Sequence, residues 1–250
     1  MSSTNVQLDI KGPIAHVTLV TEEGLNVLSA VVLDRLNEAL SEVREDKAVR
    51  ATIIAAKGKV YAAGADIKAM SGFDYDAGRD YSRLGKDTLD AVELLPSVTI
   101  SAINGAALGG GFELALACDF RVAVRGAKIG LPEVTLGLIP GWAGTIRLPK
   151  LVGPARAKRM VLSGVPVKAE EGLTFGLVDE VVESQEELGP RVEEFARSFF
   201  SAGPGAVALA KRAMRDGDDV TSFSECFVDG ADGHEGMTAF VEKRKAKWMG

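Results

Sequence analysis

Apolar and polar residues recur with readable periods along most of the chain. Val6 to Ile10 and Ile14 to Val20 are short β-branched runs separated by Gly12-Pro13, so the chain is predicted to open as a β-hairpin. After Ser29, a candidate N-cap, Leu33, Leu36, Leu40 and Val43 recur at helical spacing with charged residues between them, which predicts an amphipathic helix. Ala51 to Ala56 (ATIIAA) reads as a buried strand. Leu84, Ala91 and Leu95 share one face of a second helix, and Val98 to Ile103 (VTISAI) reads as another buried strand ending at Asn104-Gly105. The order strand, strand, helix, strand, helix, strand favours an α/β core with parallel pairing.

β character persists at Phe120–Val124 and around Lys128–Leu131, and beyond Pro140 the pattern is mostly helical apart from Leu177–Val182. Pro190 and Gly203-Pro204-Gly205 are read as breaks between helices. A larger α/β part over residues 1–190 and a smaller helical part over 191–250 are therefore expected. No internal repeat or low-complexity tract interrupts them.

Composition narrows the classes. With 250 residues, 46% hydrophobic and 26% charged, the chain is ordinary globular material and neither collagen, coiled coil nor disordered. Its formal charge of −6 provides no global basic field, so nucleic acid is a poor expectation and an anionic ligand must be held by local cations or backbone dipoles. The N-terminus MSSTNVQLDI has neither a basic nor an apolar leader segment, and no run long enough to span a bilayer occurs; a cytoplasmic, membrane-free protein is expected. The 2 cysteines, Cys118 and Cys226, form no Cys-x-x-Cys pair and read as buried or partly buried free thiols. The 2 histidines, His16 in a strand and His234 ahead of the last helix, have no partner at a ligand spacing, so no metal site is expected.

Phosphate-loop, dinucleotide, nucleophile-elbow and zinc-protease motifs are absent, which leaves chemistry to carboxylates and backbone. Three segments stand out: Tyr61–Lys68 (YAAGADIK), Asn104–Leu114 (NGAALGGGFEL), and Leu131-Pro-Glu133 running on to Ile139–Gly144 (IPGWAG). Each passes from a strand end through small residues to a helix start. Such a junction lets backbone approach a ligand and leaves the first helical N–H groups without acceptors, which suits an oxygen gaining negative charge. Two converging N–H groups make an oxyanion hole; equally, Gly109–Gly111 simply allow close helix–strand packing. Glu113 is the odd residue in the apolar helix GGGFELALA, and Glu133 lies in an equally apolar stretch. As a pair they read either as general acid and base around one water or as ion-paired structural residues.

The segments AAGADIKAM, NGAALGGGFELALACDF, LPEVTLGLIPG and EGMTAFVEKRKAKW, in this order, resemble the enoyl-CoA hydratase, or crotonase, family from about residue 5 to the end. That resemblance implies a crotonase-like spiral of ββα units with a C-terminal helical trimerisation region. It implies an oxyanion hole at the N–H groups of Ala65 and Gly110, a catalytic Glu113 as base and orienter of water, Glu133 as proton donor to the α carbon, and help from Gly141 in placing the water. The implied reaction is hydration of a trans-2-enoyl-CoA to a 3-hydroxyacyl-CoA, with no metal or redox cofactor, the substrate being carried as a coenzyme A thioester. The CoA would lie along Ala63, Asp66, Ile67 and Lys68, while Phe240 and Lys243 would reach the CoA of a neighbouring subunit in a homotrimer or a hexamer. Read without the resemblance, the basic run around Lys243 is a solvated helix end.

This chain departs from the commoner family pattern in places. Thr21–Val27 lacks the usual Asn-Arg-Pro type sequence, so CoA phosphate contacts are not implied there. Trp142 and Ile146 stand in GWAGTIRL, where Trp142 either shortens the acyl pocket or packs against the next helix, and Ser71–Tyr81, with Phe73, Tyr75 and Tyr81, falls where the acyl tail is usually lined. The rivals are a sibling enzyme (enoyl-CoA isomerase, or dehydratase of a branched or aromatic 3-hydroxyacyl-CoA) and a non-catalytic acyl-CoA- or RNA-binding relative.

Overall fold

The computed structural model describes residues 4–22 and 25–249; part of the Thr21–Val27 loop therefore lies outside the described residues. The chain runs β1 (Asn5–Lys11), β2 (Ile14–Val20), β3 (Val27–Leu28), α1 (Ala30–Glu45), β4 (Ala51–Ala56), β5 (Val60–Ala62), β6 (Gly64–Ala65), α2 (Ile67–Met70), α3 (Tyr75–Glu93), β7 (Val98–Ile103), β8 (Ala106–Leu108), α4 (Gly110–Ala117), β9 (Phe120–Val124) and β10 (Lys128–Gly130). After a 3-10 turn at Glu133–Leu136 come α5 (Gly144–Val152), α6 (Pro154–Ser163), β11 (Val167–Lys168), α7 (Ala169–Leu173), β12 (Glu180–Val182), α8 (Gln185–Arg197), α9 (Pro204–Asp216), α10 (Asp219–Glu225) and α11 (Asp232–Val241), then a 3-10 turn at Lys247–Met249.

A six-stranded sheet has the order β1-β2-β4-β7-β9-β12, and a smaller four-stranded sheet the order β11-β10-β8-β5. Only the β1–β2 hairpin is antiparallel in the large sheet; every other pair in it is parallel. Successive stretches repeat one theme: β4, β7 and β9 enter the large sheet, β5, β8 and β10 follow in the small one, and a helix returns the chain. This is the spiral of ββα units. The pairing of β3 with β6 sets Leu28 opposite Ala65.

Burial explains the arrangement. All six residues of β7 are buried, as expected of a parallel strand covered on both faces. Leu33, Leu36, Leu40 and Val43 of α1 enter the main core with Phe112 and Leu114 of α4. A second apolar layer packs Ile53, Ile100 and Val122 of the large sheet against Leu188, Val192 and Ala196 of α8. The C-terminal helices are tied on by polar contacts: Lys211 of α9 donates to the Ser97 carbonyl at 2.7 Å and to Asp119 at 2.6 Å, and Arg50 donates to the Trp248 carbonyl at 3.0 Å.

Several expectations need correction. Pro190 breaks nothing: it lies inside α8, on the exposed side, where burial of Leu188, Val192 and Ala196 offsets the one lost N–H bond. A boundary at 190 therefore crosses a helix that packs on the large sheet. Ser29 occupies the N-cap of α1 without a side-chain capping bond. The strand expected at Leu177–Val182 is confined to Glu180–Val182, and His234 lies within α11. Cys118 is buried, Cys226 partly so, and both are free. No described helix is long and apolar enough to cross a membrane.

Candidate active site

One cavity of about 450 Å³ opens where β6, α3, α4, the Glu133 turn and the start of α5 meet. That volume is of the size that takes a small organic ligand. Its lining includes Ala65, Gly110, Glu113, Glu133, Gly141 and Trp142. Sequence-predicted positions from all three small-residue segments thus converge on one space.

Two glycines make the convergence possible. Gly64, at φ +105°, takes a backbone conformation closed to L side chains, and a Cβ there would stand 2.9 Å from the Leu108 carbonyl and 3.2 Å from the Gly110 nitrogen. Strand β6 can therefore lie directly against the start of α4. Gly109, at φ +53°, turns the chain from β8 into that helix, with the Glu133 carboxyl over it. Gly110 is the first residue of α4, so its N–H has no acceptor within the helix. Ala65 follows Gly64, and both residues line the cavity beside Gly110.

Glu113 is 2% exposed in the first turn of α4. Its Oε1 accepts the N–H groups of Trp142 at 2.8 Å and Gly144 at 2.7 Å. Between those donors Ala143 sits left-handed at φ +73°, so the two N–H groups turn inward as a nest at the N-terminus of α5. Arg147, 8% exposed, holds this turn from behind: Nη1 donates to the Trp142 carbonyl at 2.9 Å and Nε to Glu93 at 2.9 Å, with Asp90 as a second acidic partner. Oε1 being so engaged, Oε2 is the atom left for a water or substrate.

Burial and N–H donation oppose one another at Glu113, and burial wins. Its pKa is raised from 4.5 to about 7, chiefly by burial with Glu133 adding repulsion, against the lowering effects of Gly144, Trp142 and Arg147. Glu133 is also raised by burial, and both its carboxyl oxygens are buried with no hydrogen-bond partner. Burial thus favours the protonated form of both carboxyls, and Glu113 titrates near neutral pH.

The remaining predicted residues divide. Ala63 and Ile67 line the cavity, while Asp66 caps α2 by accepting Ala69 N–H at 3.0 Å and Lys68 lies outside the lining. Gly141 is at the cavity, where its carbonyl accepts the Ser82 hydroxyl at 2.8 Å; the N–H groups that reach Glu113 belong to its neighbours. Phe240, 85% exposed, and Lys243, left-handed at φ +54°, are on the surface and not at this chain's cavity. Sequence reasoning missed the Trp142 and Gly144 donors and the Arg147 brace. The one signal for them was an arginine in the otherwise apolar GTIRL. Among the described residues no group of three or more His, Cys, Asp or Glu gathers as a metal site.

Comparisons place this geometry. The enoyl-CoA hydratase/isomerase family profile matches residues 9–250. Crotonyl-CoA hydratase of Syntrophomonas wolfei subsp. wolfei is 38% identical, over 100% of this chain and 99% of its own. Short-chain-enoyl-CoA hydratase of Clostridium acetobutylicum is 39% identical over 98% of this chain and 97% of its own. The crystal structure of enoyl-CoA hydratase from Bacillus anthracis superposes with a TM-score of 0.88 at 38% identity, covering 98% of this chain and 99% of that one. With its ββα spiral and its paired glutamates at a helix N-terminus, the chain belongs to the enoyl-CoA hydratase/isomerase, or crotonase, family and is an enzyme of that family.

Proposed function

We propose that this enzyme adds water across the double bond of a trans-2-enoyl-CoA to give the 3-hydroxyacyl-CoA. The observation that carries this reading is the pair of buried carboxyls facing one cavity at the start of α4, with Glu113 poised near neutrality. The thioester carbonyl oxygen would accept the N–H groups of Ala65 and Gly110, donors aimed where enolate charge develops. Ionised Glu113 takes a proton from water as the water oxygen bonds to the β carbon, and protonated Glu133 delivers its proton to the α carbon. One turnover leaves Glu113 protonated and Glu133 ionised, and solvent exchange resets them. The thioester is the electron sink, so the step calls for neither a metal nor a redox cofactor.

Ala63 to Ile67 would carry the CoA along the cavity edge through backbone contacts. The same reading assembles the chain as a homotrimer or hexamer through its C-terminal helices, where Met214, Val220, Phe223, Phe240 and Val241 are exposed. Phe240 and Lys243 would then face a neighbour's CoA. Product analysis separates the reading from its siblings: crotonyl-CoA should yield 3-hydroxybutyryl-CoA, with no net conversion of a 3-enoyl-CoA into its 2-enoyl isomer by the same enzyme. Efficient isomerisation without hydration would assign the pair to isomerase chemistry instead.

A further inference from the structure

We propose that Trp142, backed by Tyr81, forms the end wall of the acyl pocket and limits the substrate to short acyl chains. The inference rests on the hydratase reading for the direction in which the acyl chain enters. Trp142 starts at the group that would activate the attacking water: its N–H donates to Glu113 Oε1 at 2.8 Å. Both residues line the same cavity, so a γ substituent of the substrate that passes Glu113 would meet Trp142.

Its ring fills a slot cut for it. A Cβ at Gly85 of α3 would stand 2.1 Å from Trp142 Nε1, and a Cβ at Gly110 of α4 would stand 2.3 Å from Cζ3. The indole therefore spans the gap between α3 and α4, with its pyrrole edge against Gly85 and its benzo edge against Gly110. Its 4% exposure shows how closely the ends fit. Of the two roles the sequence leaves open for such a ring, packing on a helix is what the placement shows, and the same placement puts the ring at the cavity.

The wall is also fixed in position. Tyr81 meets Trp142 edge-on, with centroids 5.6 Å apart, and Phe73 meets Tyr81 in the same way at 5.5 Å. The Tyr81 hydroxyl donates to the Leu28 carbonyl at 2.6 Å and accepts the Asp66 N–H at 3.3 Å. Leu28 is the strand partner of Ala65, and Asp66 is its chain neighbour. The end wall and the Ala65 donor are thus tied to the same hydroxyl, so the aromatic face cannot swing away without disturbing the oxyanion strand.

The test is kcat/KM for crotonyl-, hexenoyl-, octenoyl- and decenoyl-CoA with the wild type, Trp142→Phe and Trp142→Ala. Wild type should fall steeply beyond the shortest substrates. Opening the wall should raise the octenoyl-to-crotonyl ratio by roughly fourfold for each methylene newly buried, or about fifteen-fold for two, with Trp142→Phe showing a smaller rise. If Trp142→Ala does not fold, the folded Phe variant decides. A wild-type profile flat with chain length, or unchanged ratios in the folded variants, overturns the proposal while leaving hydration intact. A wild type inert on every chain length sinks the hydratase reading, and calorimetric binding of butyryl-CoA against octanoyl-CoA then judges the wall alone: a preference for the shorter ligand lost in Trp142→Phe supports it, and equal binding overturns it.

Discussion

Replacing Glu113 with glutamine should make the protein more stable, and increasingly so as pH rises. In the native state this carboxyl is buried and its pKa stands at about 7, against 4.5 for the same group in water. Below 4.5 both states are protonated and burial of the acid carries no ionisation penalty. Between 4.5 and about 7 the unfolded chain gives up the proton while the native chain keeps it, so native stability falls as pH rises. Above about 7 both are ionised and the full penalty, roughly 3 kcal/mol, is in force. Glutamine has no such titration, and its side-chain oxygen can accept the Trp142 and Gly144 N–H groups in place of Oε1. Urea unfolding of wild type and Glu113→Gln at one fixed protein concentration should therefore show a stability gap that widens by about 2 kcal/mol between roughly pH 5.5 and 8.5, in favour of the variant. A gap that stays constant or narrows over that range would refute the reasoning, because Glu113 would then be held ionised throughout by its donors.

Activity should follow the same titration from the other side. The rate constant kcat/KM should rise with pH through about 7 as Glu113 ionises; a profile flat across neutral pH contradicts this. Gly144→Ala would place a Cβ 2.9 Å from Glu113 Cγ and Oε1 and 3.1 Å from Leu131 Cδ1. Steady-state kinetics should show kcat lowered on the order of a hundred-fold, since displacement of a catalytic group by about an ångström has that scale. Arg147→Met should cost on the order of 1 kcal/mol, measured by thermal or urea unfolding, because the Trp142 carbonyl and Glu93 lose a donor while Asp90 keeps Lys86, and should move the acid limb of the pH profile upward, because Arg147 lowers the Glu113 pKa. Tyr81→Phe keeps the aromatic wall but removes the tie to Leu28 and Asp66, so kcat should fall by a similar factor for every acyl length.

Legibility in the sequence followed the physics of each element. Helix α1 and strand β7 were readable because a single buried face or a fully buried run leaves an unmistakable pattern in Leu33, Leu36, Leu40 or in VTISAI. Glu113 was readable for the opposite reason: a carboxylate amid GGGFELALA has no apolar excuse. The short strands β5 and β6 were not assigned, because Gly64 and its neighbours carry no period and owe their conformation to the close approach of α4. The Glu113 nest was hidden as well. It depends on Ala143 at a positive φ, a conformation alanine does not advertise, and on backbone N–H groups whose donors have no side-chain signature. Pro190 misled because a proline on the exposed side of a helix is outweighed by the apolar face beneath it. Gly85 revealed its purpose only once Trp142 was seen to occupy the space a side chain would take.

The central claim is that Glu113 and Glu133 act together on one water, and the most direct test is loss of enoyl absorbance from crotonyl-CoA by wild type, Glu113→Gln and Glu133→Gln. The account predicts turnover by the wild type to 3-hydroxybutyryl-CoA and a fall of roughly a hundred-fold or more in kcat for each folded variant, the scale of lost acid–base catalysis. Variants that keep the wild-type rate would contradict it and make the two buried glutamates structural.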